Sequence, residues 1–128
     1  MAKGHRSQIK RERNANCDKR PSAKLSYARI PVQKACFVLD AIRGKDVQTA
    51  AAILEYNPRY ASSVIKKLLA SAVANAVNNH GLNNDKLYVK EAYVNEGPVM
   101  KRMIFDSRGH VGRNDRRTSH VTVVVAER

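Results

Sequence analysis

Hydrophobic positions recur along this chain with two different periods. Leu25-Ser26-Tyr27-Ala28-Arg29-Ile30 has strand-like composition and runs into Pro31, where a ladder donor is lost, so it predicts an edge strand. Val32, Ala35, Cys36, Leu39 and Ile42 then fall at helical spacing, with Pro31 tolerated in the first turn and Arg43-Gly44 as the stop. Asp46 is an N-cap for a second, Ala-rich helix through Tyr56, and Asn57-Pro58 ends it and caps a third. That third helix carries the strongest stripe, Ala61, Val64, Ile65, Leu68, Leu69, Ala72, Val73 and Ala76, and His80-Gly81 closes it. Past Gly81 the period becomes that of strands, with Leu87-Tyr88-Val89 and Ala92-Tyr93-Val94 expected to pair with Val121-Thr122-Val123-Val124-Val125.

Between those strands, residues 97–117 are too poor in periodic apolar content for a core element and too long for an ordinary turn. Lys101, Arg102, Arg108, Arg113, Arg116 and Arg117 outweigh Asp106 and Asp115, and Gly109 and Gly112 sit near the centre. The segment reads as a hairpin with its tip near those glycines. Arms of about ten residues would carry the tip on the order of 30 Å outward at ~3.3 Å per residue. Met100, Met103, Ile104, Phe105 and Val111 would then lie on a ribbon without a core of its own, which is marginal in water and implies an enclosing partner.

Charge names the chemistry of that partner. In 128 residues, 24 Lys and Arg stand against 11 acids, a formal +13 with a pI near 10.2, and such a field attracts polyanions, above all nucleic acid. Aromatics at 5%, without Trp, argue against a sheet that stacks single-stranded bases and against an aromatic-lined pocket. Residues 1–24 hold eight basic side chains (Lys3, Arg6, Lys10, Arg11, Arg13, Lys19, Arg20 and Lys24) and little apolar surface beyond Ile9 to offset ordering entropy, so they read as an arm that orders on nucleic acid. On the third helix, Arg59, Lys66 and Lys67 share a face with Ala70, Ser71, Ala74, Asn75 and Asn78, small enough for a phosphate backbone to approach.

Other chemistry is weakly signalled. The longest strictly apolar runs, Ala50 to Leu54 and Val123 to Ala126, fall far short of the ~20 residues of a membrane helix, and the first residues lack the apolar core of a secretory signal. Cys17 and Cys36 fit neither a disulfide framework nor a zinc pattern and read as reduced cytosolic thiols. His5, His80, His110 and His120 match no metal motif, and no cofactor is implied. The sharpest enzymatic alternative is a small ribonuclease using His80 and His120 beside Lys90; it is weakened by the commonplace positions of both histidines, at a helix cap and at a strand mouth. A free-standing basic RNA- or DNA-binding regulator is the other alternative, although no helix-turn-helix recognition helix is evident.

Four blocks, in order, resemble the universal large-subunit ribosomal protein family twenty-two in its bacterial form. They are Asp40-Ala41-Ile42-Arg43-Gly44-Lys45, Ser71-Ala72-Val73-Ala74-Asn75-Ala76 with Asn79-His80-Gly81, Asn95-Glu96-Gly97-Pro98-Val99-Met100-Lys101-Arg102, and Arg117-Thr118-Ser119-His120-Val121-Thr122-Val123-Val124-Val125. The resemblance covers roughly residues 24–128 and leaves 1–23 as a basic extension. It departs from the family pattern at Gln33, Cys36 and His110, where Arg is frequent, and at Phe105-Asp106, where Pro and Arg are common.

The resemblance implies an α+β domain of three helices on a three-stranded antiparallel sheet, with a long hairpin at about 97–117. It further implies a non-enzymatic constituent of the large ribosomal subunit that binds large-subunit rRNA, bridges RNA domains during assembly, and lines the nascent-peptide exit tunnel with its hairpin, near the macrolide site. The partners would be rRNA, neighbouring proteins including ribosomal protein family four, and the nascent polypeptide, in the cytoplasm, with no membrane and no homo-oligomer. The expected rRNA contacts are Arg11, Arg13, Lys19, Arg20, Lys24, Arg29, Lys34, Arg43, Lys45, Lys66, Lys67, Lys101, Arg102, Arg108, Arg113, Arg116, Arg117 and His120. The expected tip is Ser107, Arg108, Gly109, His110, Val111 and Gly112.

Overall fold

Residues 2–15 and 20–128 are described in the computed structural model, with side chains from Ser7 onward. Among them the order is α1 (Ala2–Ala15), β1 (Ser22–Ala28), α2 (Val32–Ile42), α3 (Val47–Tyr56), α4 (Tyr60–His80), β2 (Leu87–Glu96), β3 (Met100–Phe105), β4 (Val111–Arg116) and β5 (Ser119–Glu127). The fold is α+β. An antiparallel sheet in the order β1-β5-β2 forms the body, and β3 and β4 form a separate two-stranded sheet.

β5 is central, and its composition explains why. Val121, Val123 and Val125 are fully buried, and Thr122 and Val124 on the other face are nearly so, which suits a β-branched run flanked by a strand on each side. α4 lies across β1 and β5, α2 lies on β2, and α3 packs against both helices. Leu39 and Ile42 of α2, Leu54 of α3, and Ile65 and Leu69 of α4 meet the valines in one cluster. Each such side chain contributes about 1.5–3 kcal/mol by leaving water. The buried face of α2 is Ala35, Val38, Leu39 and Ile42; Val38 belongs to it and Cys36 only borders it.

Both outer strands carry an extra residue. Buried positions on β2 fall at 87 and 89 and then at 92, because Val89 faces Val125 while Glu91 already faces Val124. β1 slips likewise between Leu25, opposite Val121, and Ala28, opposite Ser119, with Tyr27 at φ 57. These bulges turn two short apolar clusters into single strands. β1 is an edge strand, as expected.

The helix termini differ from the expected caps in detail. Asp46 occupies the N-cap of α3 but makes no side-chain cap bond; its carboxylate meets Arg128 at 3.2 Å. α4 begins at Tyr60, later than Asn57-Pro58 suggested, and Asn57 Oδ1 accepts the Arg59 N–H at 3.1 Å. Gly81 ends α4 at φ 65, a left-handed position that suits glycine, and its N–H donates to the Val77 carbonyl at 3.0 Å.

Residues 2–15 of the N-terminal extension are helical as α1, where lack of apolar surface argued for an arm that orders on nucleic acid. Alanine, lysine, arginine, glutamine and glutamate are strong helix formers, and local propensity acts without burial. The side chains of residues 7–15 are all exposed. Cys17 and Lys19 lie outside the described residues, as do the side chains of Lys3 and Arg6.

Candidate nucleic-acid interface

The hairpin is joined to the body through a tight root. At Gly97 the chain leaves β2, its N–H donates to the Thr118 carbonyl at 3.0 Å, and the Thr118 hydroxyl donates to the Pro98 carbonyl at 2.6 Å. A Cβ at position 97 would stand 2.5 Å from Thr118 Oγ1, so only glycine allows the two strands to come this close. Beyond the root, Met100 faces Arg116 and Phe105 faces Val111, six paired residues per arm. The paired ribbon therefore extends about 20 Å at ~3.3 Å per residue, and residues 97–99 and 117–118 join it to the body.

Asp106 to His110 make the tip. The Asp106 N–H donates to the His110 carbonyl at 2.8 Å around a single 3-10 turn, with Arg108 at φ 57 and Gly109 at φ 76. Five residues suffice because two consecutive left-handed positions reverse the chain. Val111 and Gly112, expected at the tip, instead pair with Phe105 and Ile104 on the strands. Ser107, Arg108, Gly109 and His110 are at the tip as expected.

At the hairpin's base, Arg29, Lys34, Arg102, Arg116 and Arg117 line one cleft of about 520 Å³ with Pro31 and Met100. Local structure aims each of them there. β1 ends at Ala28, Ile30 turns inward to burial, and Arg29 is left outside; Lys34 follows one turn into α2. Arg102 and Arg116 share a ribbon face, since Met100 opposes Arg116 and Arg102 opposes Asn114. The carboxylate in this lining, Asp115, is taken: Arg113 Nε donates to it at 2.8 Å. That bond and its charge raise the pKa of Arg113 above the ordinary value. The cleft thus presents five cationic side chains, and the acid in its lining is already engaged.

Other expected contacts are distributed differently. Arg43 serves the body, donating through Nη2 to the Ala92 carbonyl at 2.7 Å and meeting Asp40 at 2.8 Å, which ties the end of α2 to β2. Arg20 pairs with Glu91, and Lys66 with Glu55 at 3.0 Å. Lys24, Lys45, Lys67, Lys101 and Arg108 are exposed, as are Arg11 and Arg13 on α1. His120 Nδ1 accepts the Tyr27 N–H at 3.0 Å, with the two rings edge to face at 4.7 Å. A neutral His120 then carries its proton on Nε2 and can donate to a phosphate, but it has no free lone pair to act as a general base.

Low aromatic content argued against an aromatic-lined pocket, but two aromatics suffice where helix packing brings them together, and Phe37, Arg59 and Tyr60 line such a cleft. Phe37 is 65% exposed and Tyr60 72% exposed, and they line a second cleft of about 610 Å³ that shares Arg29, Pro31 and Lys34 with the first. The available signal was a large aromatic at a position off the α2 stripe. Among the described residues, no helix is long and apolar enough to cross a membrane.

Fold and surface together define a class: a small, strongly basic α+β protein whose two-stranded hairpin stands on a body with a single apolar cluster. Residues 23–126 match the model of the family described as ribosomal protein L22p/L17e. The chain belongs to that family. It is 65% identical over 128 residues, the full length of both chains, to large ribosomal subunit protein uL22 of Lachnoclostridium phytofermentans, and 66% identical, again over both full lengths, to that of Lachnospira eligens. Against the Acetivibrio thermocellus protein of the same name it is 56% identical over 104 residues, covering 81% of this chain and 83% of the other.

Proposed function

We propose that this protein is a structural constituent of the large ribosomal subunit in the cytoplasm, that it binds large-subunit rRNA through the hairpin and its root, and that residues 24–128 form the domain that does so. One observation carries the reading: Arg29, Lys34, Arg102, Arg116 and Arg117 converge at the root of a ribbon that buries nothing of its own. Five cations in one cleft fit phosphates from more than one RNA segment, and arginine's planar fork suits bidentate phosphate contacts. That geometry supports a role in bridging RNA domains during assembly.

The hairpin's outer half supports the finer part of the reading. Met103, Ile104, Phe105 and Val111 are all more than half exposed, next to Arg108. Apolar surface of this kind on a ribbon is stabilised when a partner encloses it. An rRNA wall, with the tip of Ser107 to His110 lining the nascent-peptide tunnel near a family-four ribosomal protein, is such an enclosure.

The test is sedimentation of the tagged chain from a lysate, followed by a high-salt wash of the large-subunit fractions. Near-stoichiometric retention is expected, since contacts interlocked in RNA resist the screening that strips surface charge pairs. Protein at the top of the gradient would favour a free-standing regulator.

A further inference from the structure

We infer that the cleft between Phe37 and Tyr60 is a binding site for one unpaired RNA nucleotide, whose base stacks on the aromatic rings while its phosphates lie on Arg29 and Lys34. The inference rests on the reading that this chain binds RNA, and it assigns a different contact, a base, to a different part of the surface.

The cleft is built for an object that is flat and apolar on one side and anionic on the other. Its floor is apolar: Ile30 is 3% and Ala61 4% exposed, and Pro31 lies between the two clefts. Its walls are two aromatic rings left largely in water. Its rim is Arg29, Lys34 and Arg59, and no carboxylate lines it. The Arg59 guanidinium carbon stands 5.4 Å from the Phe37 ring centroid, within cation–π range, so the guanidinium is already held over an aromatic face. A volume of about 610 Å³ falls in the range of small-molecule pockets.

Neither ring is needed by the fold. Phe37 lies off the buried face of α2, and Tyr60 is the first residue of α4, ahead of Ala61 where burial begins. Bulky aromatics left in water beside three cations match the way proteins hold unstacked bases, with a ring or guanidinium plane beneath the base and positive charge along the backbone. The shared residues Arg29, Pro31 and Lys34 make this cleft continuous with the phosphate cleft at the hairpin root. One strand can therefore run from phosphate contacts into base contacts without leaving the protein.

The test uses the full chain and short single-stranded oligoribonucleotides carrying a central 2-aminopurine, beside the same strands with an abasic central position. Wild-type protein is expected to change the 2-aminopurine fluorescence on binding and to bind the abasic strand roughly 5- to 150-fold more weakly. Phe37→Ala with Tyr60→Ala should remove both the fluorescence change and the preference for the base, while the dependence of affinity on salt keeps its slope. Circular dichroism and a urea melt of the double variant check that it is folded, and Phe37→Leu offers a milder second variant. RNA binding that is equally tight for base and abasic strands, or unaltered in both variants, overturns the inference and leaves the phosphate reading intact. So does RNA affinity unchanged in a variant that is lost from the large subunit, which would give the patch to a neighbouring protein. Absence of any RNA binding by wild type would instead fail the proposed function itself.

Discussion

At the scale of single residues, close approach decides more than charge does. Gly97 stands where Thr118 leaves no room for a Cβ, its backbone carbon and oxygen being 3.2 Å from the position a Cβ would take. Gly97→Ala is expected to cost about 1–3 kcal/mol by overpacking, read in a urea melt, and adding Thr118→Ala should recover part of that loss. A single variant as stable as the parent would mean the root opens freely. Ser62 is a second such position: fully buried on α4, its hydroxyl has no hydrogen-bond partner among the described residues. Ser62→Ala should raise stability by about 1 kcal/mol, since alanine removes an unsatisfied group and is the better helix former. A lower urea midpoint would show that the hydroxyl has found a partner, such as a buried water. Ser62 was absent from the sequence stripe because a hydroxyl reads as polar; its position, three residues before Ile65, lies on the same buried face of α4.

At the scale of elements, the hairpin and the body obey different rules. No residue from 100 to 116 belongs to the buried cluster, so β3 and β4 are held by their own ladder and by the Gly97–Thr118 root. Replacing residues 100–116 by a short Gly-Ser link is expected to leave the body's cooperative melt within about 1 kcal/mol of the parent, read by urea denaturation. Loss of cooperativity would make the ribbon part of the core. Helical stripes and strand pairing were legible because their periods are local properties of α2, α4, β2 and β5. The bulges in β1 and β2 were less so: an extra residue looks like a break until the partner strand supplies the register, and β5 supplies it on both sides.

At the scale of the whole molecule, a formal charge of +13 is distributed unevenly. Arg43, Arg20, Lys66 and Arg113 are engaged with groups of the protein, whereas Arg29, Lys34, Arg116 and Arg117 have no carboxylate partner among the described residues. Binding to large-subunit RNA fragments should therefore weaken steeply with salt. Replacing Arg113, Arg116 and Arg117 by alanine is expected to lower the log–log slope by roughly 0.7–0.9 for each phosphate no longer neutralised, while the body melts as before. Single variants should place more of the effect on Arg116 and Arg117 than on Arg113, whose guanidinium already has Asp115. An unfolded triple variant would make these arginines structural instead.

The sequence by itself determined the order and type of the body's elements, the edge position of β1, the presence of a basic hairpin and the charge excess from which a polyanionic partner is proposed. All of these follow from local periodicity, turn chemistry and charge count. Only the tertiary structure decided which charges are free. Arg43 and Arg116 are identical by composition, but one faces the Ala92 carbonyl and the other an open cleft. The tertiary structure also brought Phe37 of α2 next to Tyr60 of α4 across 22 intervening positions, a proximity set by how two helices pack on one sheet and carried by neither segment alone.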